Sequence, residues 1–278
     1  MSLYVSSLNS GSNGNCYYIG NENEAVLVDA GISCREIEKR MKRLHLPMQK
    51  VKAVFISHEH SDHIKGLSFL SKKYNLPVYI TDATRRNGYL FIEKQLLRSF
   101  QPHQPVQVGE LSVLPFPKLH DAADPYSFTI KYKEVQIGVF TDIGRPCQNV
   151  IHQFSQCHAA FLEANYDDEM LDKGNYPFYL KKRIKSETGH LSNLQALELF
   201  QQYRPGFMSH LFLSHLSKNN NSPELVETLF NMNSQGVKIV VASRYAETPV
   251  YYINNSLAPR SIQPDISASS NQLQLCFS

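Results

Sequence analysis

The chain has 278 residues, 42% hydrophobic and 19% charged, values of a globular protein with length for one large domain or two small ones. A formal net charge of +3 permits a polyanionic substrate without demanding one. No apolar run reaches membrane-spanning length, and MSLYVSSLNS has no basic segment before an apolar core, so neither a spanning helix nor a signal peptide is expected. Five scattered cysteines (Cys16, Cys34, Cys147, Cys157, Cys276) with no C-x-x-C pair fit reduced thiols in a cytoplasmic protein.

In chain order, LYVSSL, NCYYIG and AVLVDAG read as strands, the first two joined by NSGSNGN. SCREIEKRMKRLH carries Ile37, Met41 and Leu44 at helical spacing, and Ser33 with Glu36 predicts a capping box at its start. VKAVFIS (51–57) reads as a buried strand that runs into HEHSDH (58–63). An amphipathic segment with Ile64, Leu67 and Leu70 follows, predicting a helix over 64–74. Further strands are expected at PVYIT, LSVLPF, SFTIKYK, VQIGVFTD, AAFLEAN, LFLSH, KIVVAS and PVYYI. Helices are expected over 191–203 and 223–232, the second with Ser222 as N-cap and Pro223 at its first position. Such a mixture suggests an α/β chain of two packed sheets with helices outside. One domain over 1–253 is expected, then a polar tail over 254–278. Its final QLQLCF has two readings: an edge strand, which could pair with another copy in a homodimer, or a frayed terminus.

HEHSDH is the most informative segment. Neutral imidazole and carboxylate are ligands for divalent metals such as zinc or manganese. The H-x-H pair places His58 and His60 on one side of an extended stretch, where both reach one ion. Asp62 and His63, at the turn into the helix, are aimed at a second. His120, Asp142 and His215 each stand where an apolar strand runs out, the place where α/β architectures build their sites. His45, His103, His152, His158 and His210 lack that setting and read as ordinary.

HEHSDH, with Asp29 in VLVDAG and with His120, Asp142 and His215, resembles the metallo-β-lactamase superfamily over roughly 3–253. The resemblance implies a four-layer αββα sandwich with a dinuclear metal site at one edge. It implies that His58, His60 and His120 hold one ion, that Asp62, His63 and His215 hold the other, and that Asp142 bridges them. SGSNGNC, FLEANYDDEMLDKGNYPFYLKKRIKSETGHLSN and LSHLSKNN are similar to the YycJ/WalJ group, exonuclease-like relatives in the phosphodiesterase branch. Glu163 and His190 match the glutamate and histidine that flank the site in ribonuclease Z. Tyr166 departs from the group's pattern, where EANHD stands in place of EANYD. The stretch between Asp142 and His215 is too short for the domain that ribonuclease J-like members insert.

What the resemblance implies for chemistry is a metal-dependent phosphodiesterase acting on nucleic acid, DNA ahead of RNA. Asp62 would orient the attacking water as well as ligate, and His190 would protonate the leaving oxygen with Glu163 fixing its tautomer. Thioester or lactone hydrolysis of the glyoxalase II type uses the same ligands but needs no proton donor. A non-catalytic binding protein is the third class, disfavoured because every ligand position is filled. Lys181, Lys182, Arg183 and Lys185 have two readings, a phosphate-binding rim or a solvated helix face. So has SGSNGN with Ser12 and Asn15: phosphate contacts through its N–H groups, or a hairpin turn. Ser192 and Asn193 are either helix caps or phosphate contacts.

Overall fold

A computed structural model describes residues 2–255. Most of the tail expected over 254–278, QLQLCF included, lies outside those residues. The chain first lays down β1 (Ser2–Asn9), β2 (Cys16–Gly20), β3 (Ala25–Val28), β4 (Val51–Phe55), β5 (Val78–Tyr79) and β6 (Leu97–Arg98) in one sheet. It continues into a second with β7 (Val106–Val108), β8 (Leu111–Pro117), β9 (Tyr126–Tyr132), β10 (Val135–Phe140), β11 (Ala159–Glu163), β12 (His210–Ser214) and β13 (Lys238–Val241). Finally β14 (Tyr251–Asn254) returns to pair antiparallel with β1. Each sheet has seven strands, antiparallel over one part and parallel over the rest. The two halves thus share a topology that no spacing in the sequence displays.

Alternation along these strands sends Val5, Tyr17, Val28, Phe55, Phe128, Val139, Phe161 and Phe212 into one core between the sheets. The other strand faces are covered by helices. On the first sheet, Ile37 and Met41 of α1 (Cys34–Arg43) pack in one outer cluster. After α2 (Ser61–Ile64), α3 (Leu67–Tyr74) adds Leu67 and Leu70 to it; α4 (Asp82–Asn87) is a short helix nearby in sequence. On the second sheet, α5 (Gln148–Phe154) supplies Val150 and Phe154 to a separate cluster. Between its neighbours lie α6 (Asp168–Lys173) and α7 (Phe178–Ile184); α8 (Asn193–Tyr203) and α9 (Pro223–Asn231) then add Phe200 and Phe230. The result is the expected αββα order. Each large side chain withdrawn from water in these layers contributes about 1.5–3 kcal/mol.

Two expectations need correction. The helix expected over 64–74 is broken at Gly66, between α2 and α3, because the chain crosses another segment there: a Cβ on Gly66 would lie 2.1 Å from the Ile32 carbonyl oxygen. The capping box expected at Ser33 is only half made. Ser33 Oγ accepts the Glu36 N–H, while the Glu36 carboxylate turns to Lys39 and Arg40. The reciprocal box occurs at α8 instead, between Ser192 and Gln195.

The DAG turn and HEHSDH are stitched backbone to backbone. Asp62 O accepts from Asn15 N at 2.7 Å, His63 O from Ala30 N at 2.8 Å, and Ala30 O from Gly66 N at 2.8 Å. Gly31 is required for that approach, since a Cβ there would sit 1.7 Å from Asp62 O. Gly31→Ala is therefore expected to cost about 3 kcal/mol or more, the upper range for a single substitution. Gly206, whose Cβ would meet nothing within 4 Å, should accept Ala within about 0.5 kcal/mol. Urea unfolding of the two variants measures the contrast.

Candidate metal centre

The strands deliver the cluster from their ends. Asp29 follows β3, Asp142 lies just beyond β10 and His215 follows β12. All three adopt left-handed backbone, with φ of 62°, 54° and 57°. Outside glycine that conformation costs roughly 1–3 kcal/mol, with Asp and His among the residues that bear it best. It turns the chain sharply at the sheet edge.

Around Asp142 the imidazoles converge. Its Oδ2 lies 3.1 Å from His63 Nε2, and its Oδ1 lies 3.5 Å from His215 Nε2 and 3.8 Å from His120 Nε2. His58 Nε2 is 3.1 Å from His60 Nδ1, and His120 Nε2 is 3.3 Å from the same atom. Asp62 Oδ2 stands 3.4 Å from His215 Nε2 and 3.6 Å from His63 Nε2. Among the described residues, ligand atoms gather as His58–His60–His120, as Asp62–His63–His215, as His58–His63–Asp142 and as Asp142–Glu163–His190–His215. The histidines expected to be ordinary join none of these groups.

Outward contacts fix which nitrogen of each ring faces the cluster. His63 Nδ1 is 2.7 Å from Asp29 Oδ2, and Ser57 donates both its N–H and its Oγ–H to that carboxylate at 2.8 Å. His58 Nδ1 meets Ser57 Oγ at 2.9 Å, and His120 Nδ1 meets the Gly189 carbonyl at 3.1 Å. His215 Nδ1 lies 3.0 Å from Glu163 Oε1 and 3.2 Å from Asn165 Nδ2. Such outward partners set tautomer and ring orientation in metal sites. Ser57, Asn165 and Lys118 were not anticipated from sequence. Lys118 is buried and donates to the Thr141 carbonyl at 2.7 Å, bracing the residue before Asp142. The available signal was alternation: Asn165 stands two residues after Glu163, on the same side of an extended chain.

Burial drives His58 and His60 below the usual imidazole range and His120 down to about 3, so these rings are neutral, the ligand form. Burial would do the same to His63, but Asp142, Asp29 and Asp62 outweigh it and raise His63 to about 10. His215 is likewise opposed by burial yet raised well above its ordinary value, by Asp142, Asp62 and Glu163. Burial pushes Asp142 up, but His215, His63 and His58 hold it far below the carboxylate range. The donor set therefore suits divalent cations: neutral imidazoles on one side, and on the other a carboxylate nest that needs positive charge. Asp142 Oδ2, buried without a well-aligned hydrogen bond, has capacity for a ligand bond.

The cleft above the cluster is a cavity of about 390 Å³ lined by Ser12, Asp62, Tyr176, Leu180, Arg183 and His190, among others. Glu163, fully buried behind the cleft residues His190 and His215, accepts the Ile143 N–H at 2.6 Å. Burial raises its pKa, but His190 and His215 prevail and hold it at about 2. His190 Nδ1 lies 2.7 Å from Glu163 Oε1, and Nε2 has no partner among the described residues.

The expected rim of cations is partly spent on neighbours. Arg183 pairs with Asp121, Lys185 with Asp172 at 2.6 Å, and Lys181 donates to the Asp172 carbonyl; Lys182 is exposed. Asn15 is buried, 3.3 Å from Asp62 Oδ2, and Asn193 is buried with its amide on Asn221. Tyr166 is buried against Leu171 and Ile184 and bridges to Ser192, a packing role.

A family model described as "Beta-lactamase superfamily domain" matches residues 24–215. The chain belongs to the beta-lactamase superfamily. Within it, the chain is 34% identical over 230 residues to "Exodeoxyribonuclease YycJ" of Bacillus anthracis, covering 81% of this chain and 86% of the relative. It is 31% identical over 234 residues to "Exodeoxyribonuclease WalJ" of Streptococcus pneumoniae D39, covering 82% and 87%. Superfamily structures share the fold: YhfI of Bacillus subtilis has a TM-score of 0.69 at 19% identity, covering 91% of this chain and 100% of that one. The short form of human tRNase Z has a TM-score of 0.62 at 15% identity, covering 89% and 99%. No helix among the described residues is long and apolar enough to cross a membrane. Cys16, Cys34, Cys147 and Cys157 are free thiols.

Proposed function

We propose that this metal-dependent hydrolase is a cytoplasmic exodeoxyribonuclease working with two divalent ions, zinc or manganese. His58, His60 and His120 would hold one ion, Asp62, His63 and His215 the other, and Asp142 both. Bound ions would supply an acidified water and charge stabilisation for in-line displacement at phosphorus. Asp62, at the cleft edge of the cluster, orients the attacking water. His190 carries the proton for the leaving alkoxide on Nε2, while Glu163 keeps the Nδ1 proton and holds the ring toward the cleft.

The 2.7 Å His190–Glu163 pair carries this reading, because a poor alkoxide leaving group needs a positioned acid. A thiolate does not, so thioester hydrolysis leaves His190 without a proton to deliver. The named activities of the YycJ and WalJ relatives support DNA as substrate. The test is digestion of end-labelled single- and double-stranded DNA and RNA with each metal. Stepwise nucleotide release from DNA, abolished by chelation, is the expected result. Thioester turnover with no nucleotide release under either metal would reverse the assignment.

A further inference from the structure

A second cavity, about 590 Å³, shares Ser217 with the cleft and is lined by β13, an end strand of its sheet among the described residues, and by Tyr251 of β14. The residues from Lys238 to Tyr245 line it in sequence, a run of roughly 20 Å at the rise of extended chain. Arg244 stands at the end nearer the metal cluster. Its Nη2 donates to the Leu216 carbonyl at 2.8 Å, one residue beyond His215.

Arg244 is half-buried, and among the described residues no carboxylate lies within ion-pair distance of it. Exposed Lys218 and Lys238 line the same groove. Against them stand Glu227 and Glu247, but Glu247 is held by Arg43 at 2.6 Å. Among the described residues the groove therefore carries three cations against Glu227, with Glu247 already paired to Arg43. Tyr245, 72% exposed beside Arg244, offers a ring face to solvent.

We propose that this groove takes the backbone of a single-stranded DNA whose terminal phosphodiester lies in the metal cleft, an inference that rests on the nuclease reading above. Cations spaced along an open groove, with an exposed aromatic, are the features that bind single strands without regard to sequence. Arg244 contacts the phosphate nearest the cleft, Lys218 and Lys238 contact others, and a base stacks on Tyr245.

The test is binding of oligo(dT) of two and of twelve nucleotides across a salt series, in a His190→Ala background that slows digestion. Lys218→Gln with Lys238→Gln should flatten the salt dependence for the twelve-mer by roughly 1.4 units, about 0.7 for each lysine–phosphate pair removed. Tyr245→Ala should weaken the twelve-mer about five-fold or more, the loss of one stacked base. The dinucleotide, too short to leave the cleft, should bind all variants alike. Unfolding midpoints and metal content verify that each variant is folded. Unchanged slope and affinity on the twelve-mer, or equal losses on both lengths, would overturn the groove while leaving the nuclease reading intact. Failure of the unmodified protein to bind or digest either oligonucleotide would overturn both.

Discussion

Asp142→Ala should strip the metal and abolish turnover together. Among the described residues this carboxylate approaches both sets of imidazoles, 3.8 Å from His120 of one set and 3.1 Å and 3.5 Å from His63 and His215 of the other. Loss of an outward partner of a ligand typically costs 10–100-fold in metal affinity, so loss of a shared ligand should exceed about 100-fold. Asp142→Asn keeps the shape and removes the charge, which separates ligation from packing. In the metal-free protein either change also removes one of the carboxylates that raise His63 and His215, so the pKa of both rings should fall. Metal content after dialysis against zinc or manganese, measured beside nuclease rate, decides the matter. One tightly held ion in the unmodified protein under metal-replete conditions would end the dinuclear reading. Two ions retained in Asp142→Ala would show that Asp142 bridges neither.

The residues that gather at the candidate metal centre were legible in the sequence because each is announced locally, by HEHSDH or by an ionisable residue at the end of an apolar strand. The layers were legible because strands and helices alternate with clear periodicities. The parts that escaped notice are short or depend on distant partners. β6 and β7 have two and three residues, and α4 to α7 have six or seven, too few for a period to show. Ser57 is an ordinary serine until the fold brings Asp29 against it from 28 positions away. The lysine and arginine run at α7 reads in sequence either as a rim or as a solvated face, and the fold sets Asp121 and Asp172 against Arg183 and Lys185. Arg244 shows the converse, a lone arginine in sequence that the fold places half-buried beside the cleft.

His190→Ala should slow digestion of DNA by about 10²–10⁴, or roughly 3–5 kcal/mol of barrier, with metal content unchanged. The geometry supports both halves of that result. His190 Nδ1 lies 2.7 Å from Glu163 Oε1 and farther, 3.7 Å, from Asp142 Oδ1, so its removal should leave the His58, His60, Asp62, His63, His120, Asp142 and His215 ligand atoms in place. On the proposed mechanism, what is lost is the Nε2 proton offered to the leaving alkoxide. Bis(p-nitrophenyl) phosphate is the discriminating substrate, because its phenolate departs without a proton and its hydrolysis should be nearly unaffected. Glu163→Gln should behave differently, since Glu163 also holds His215 at 3.0 Å: metal affinity and both activities should fall together. Equal slowing of the two substrates by His190→Ala, or loss of metal, would mean that the ring organises the centre and that the proton comes from elsewhere.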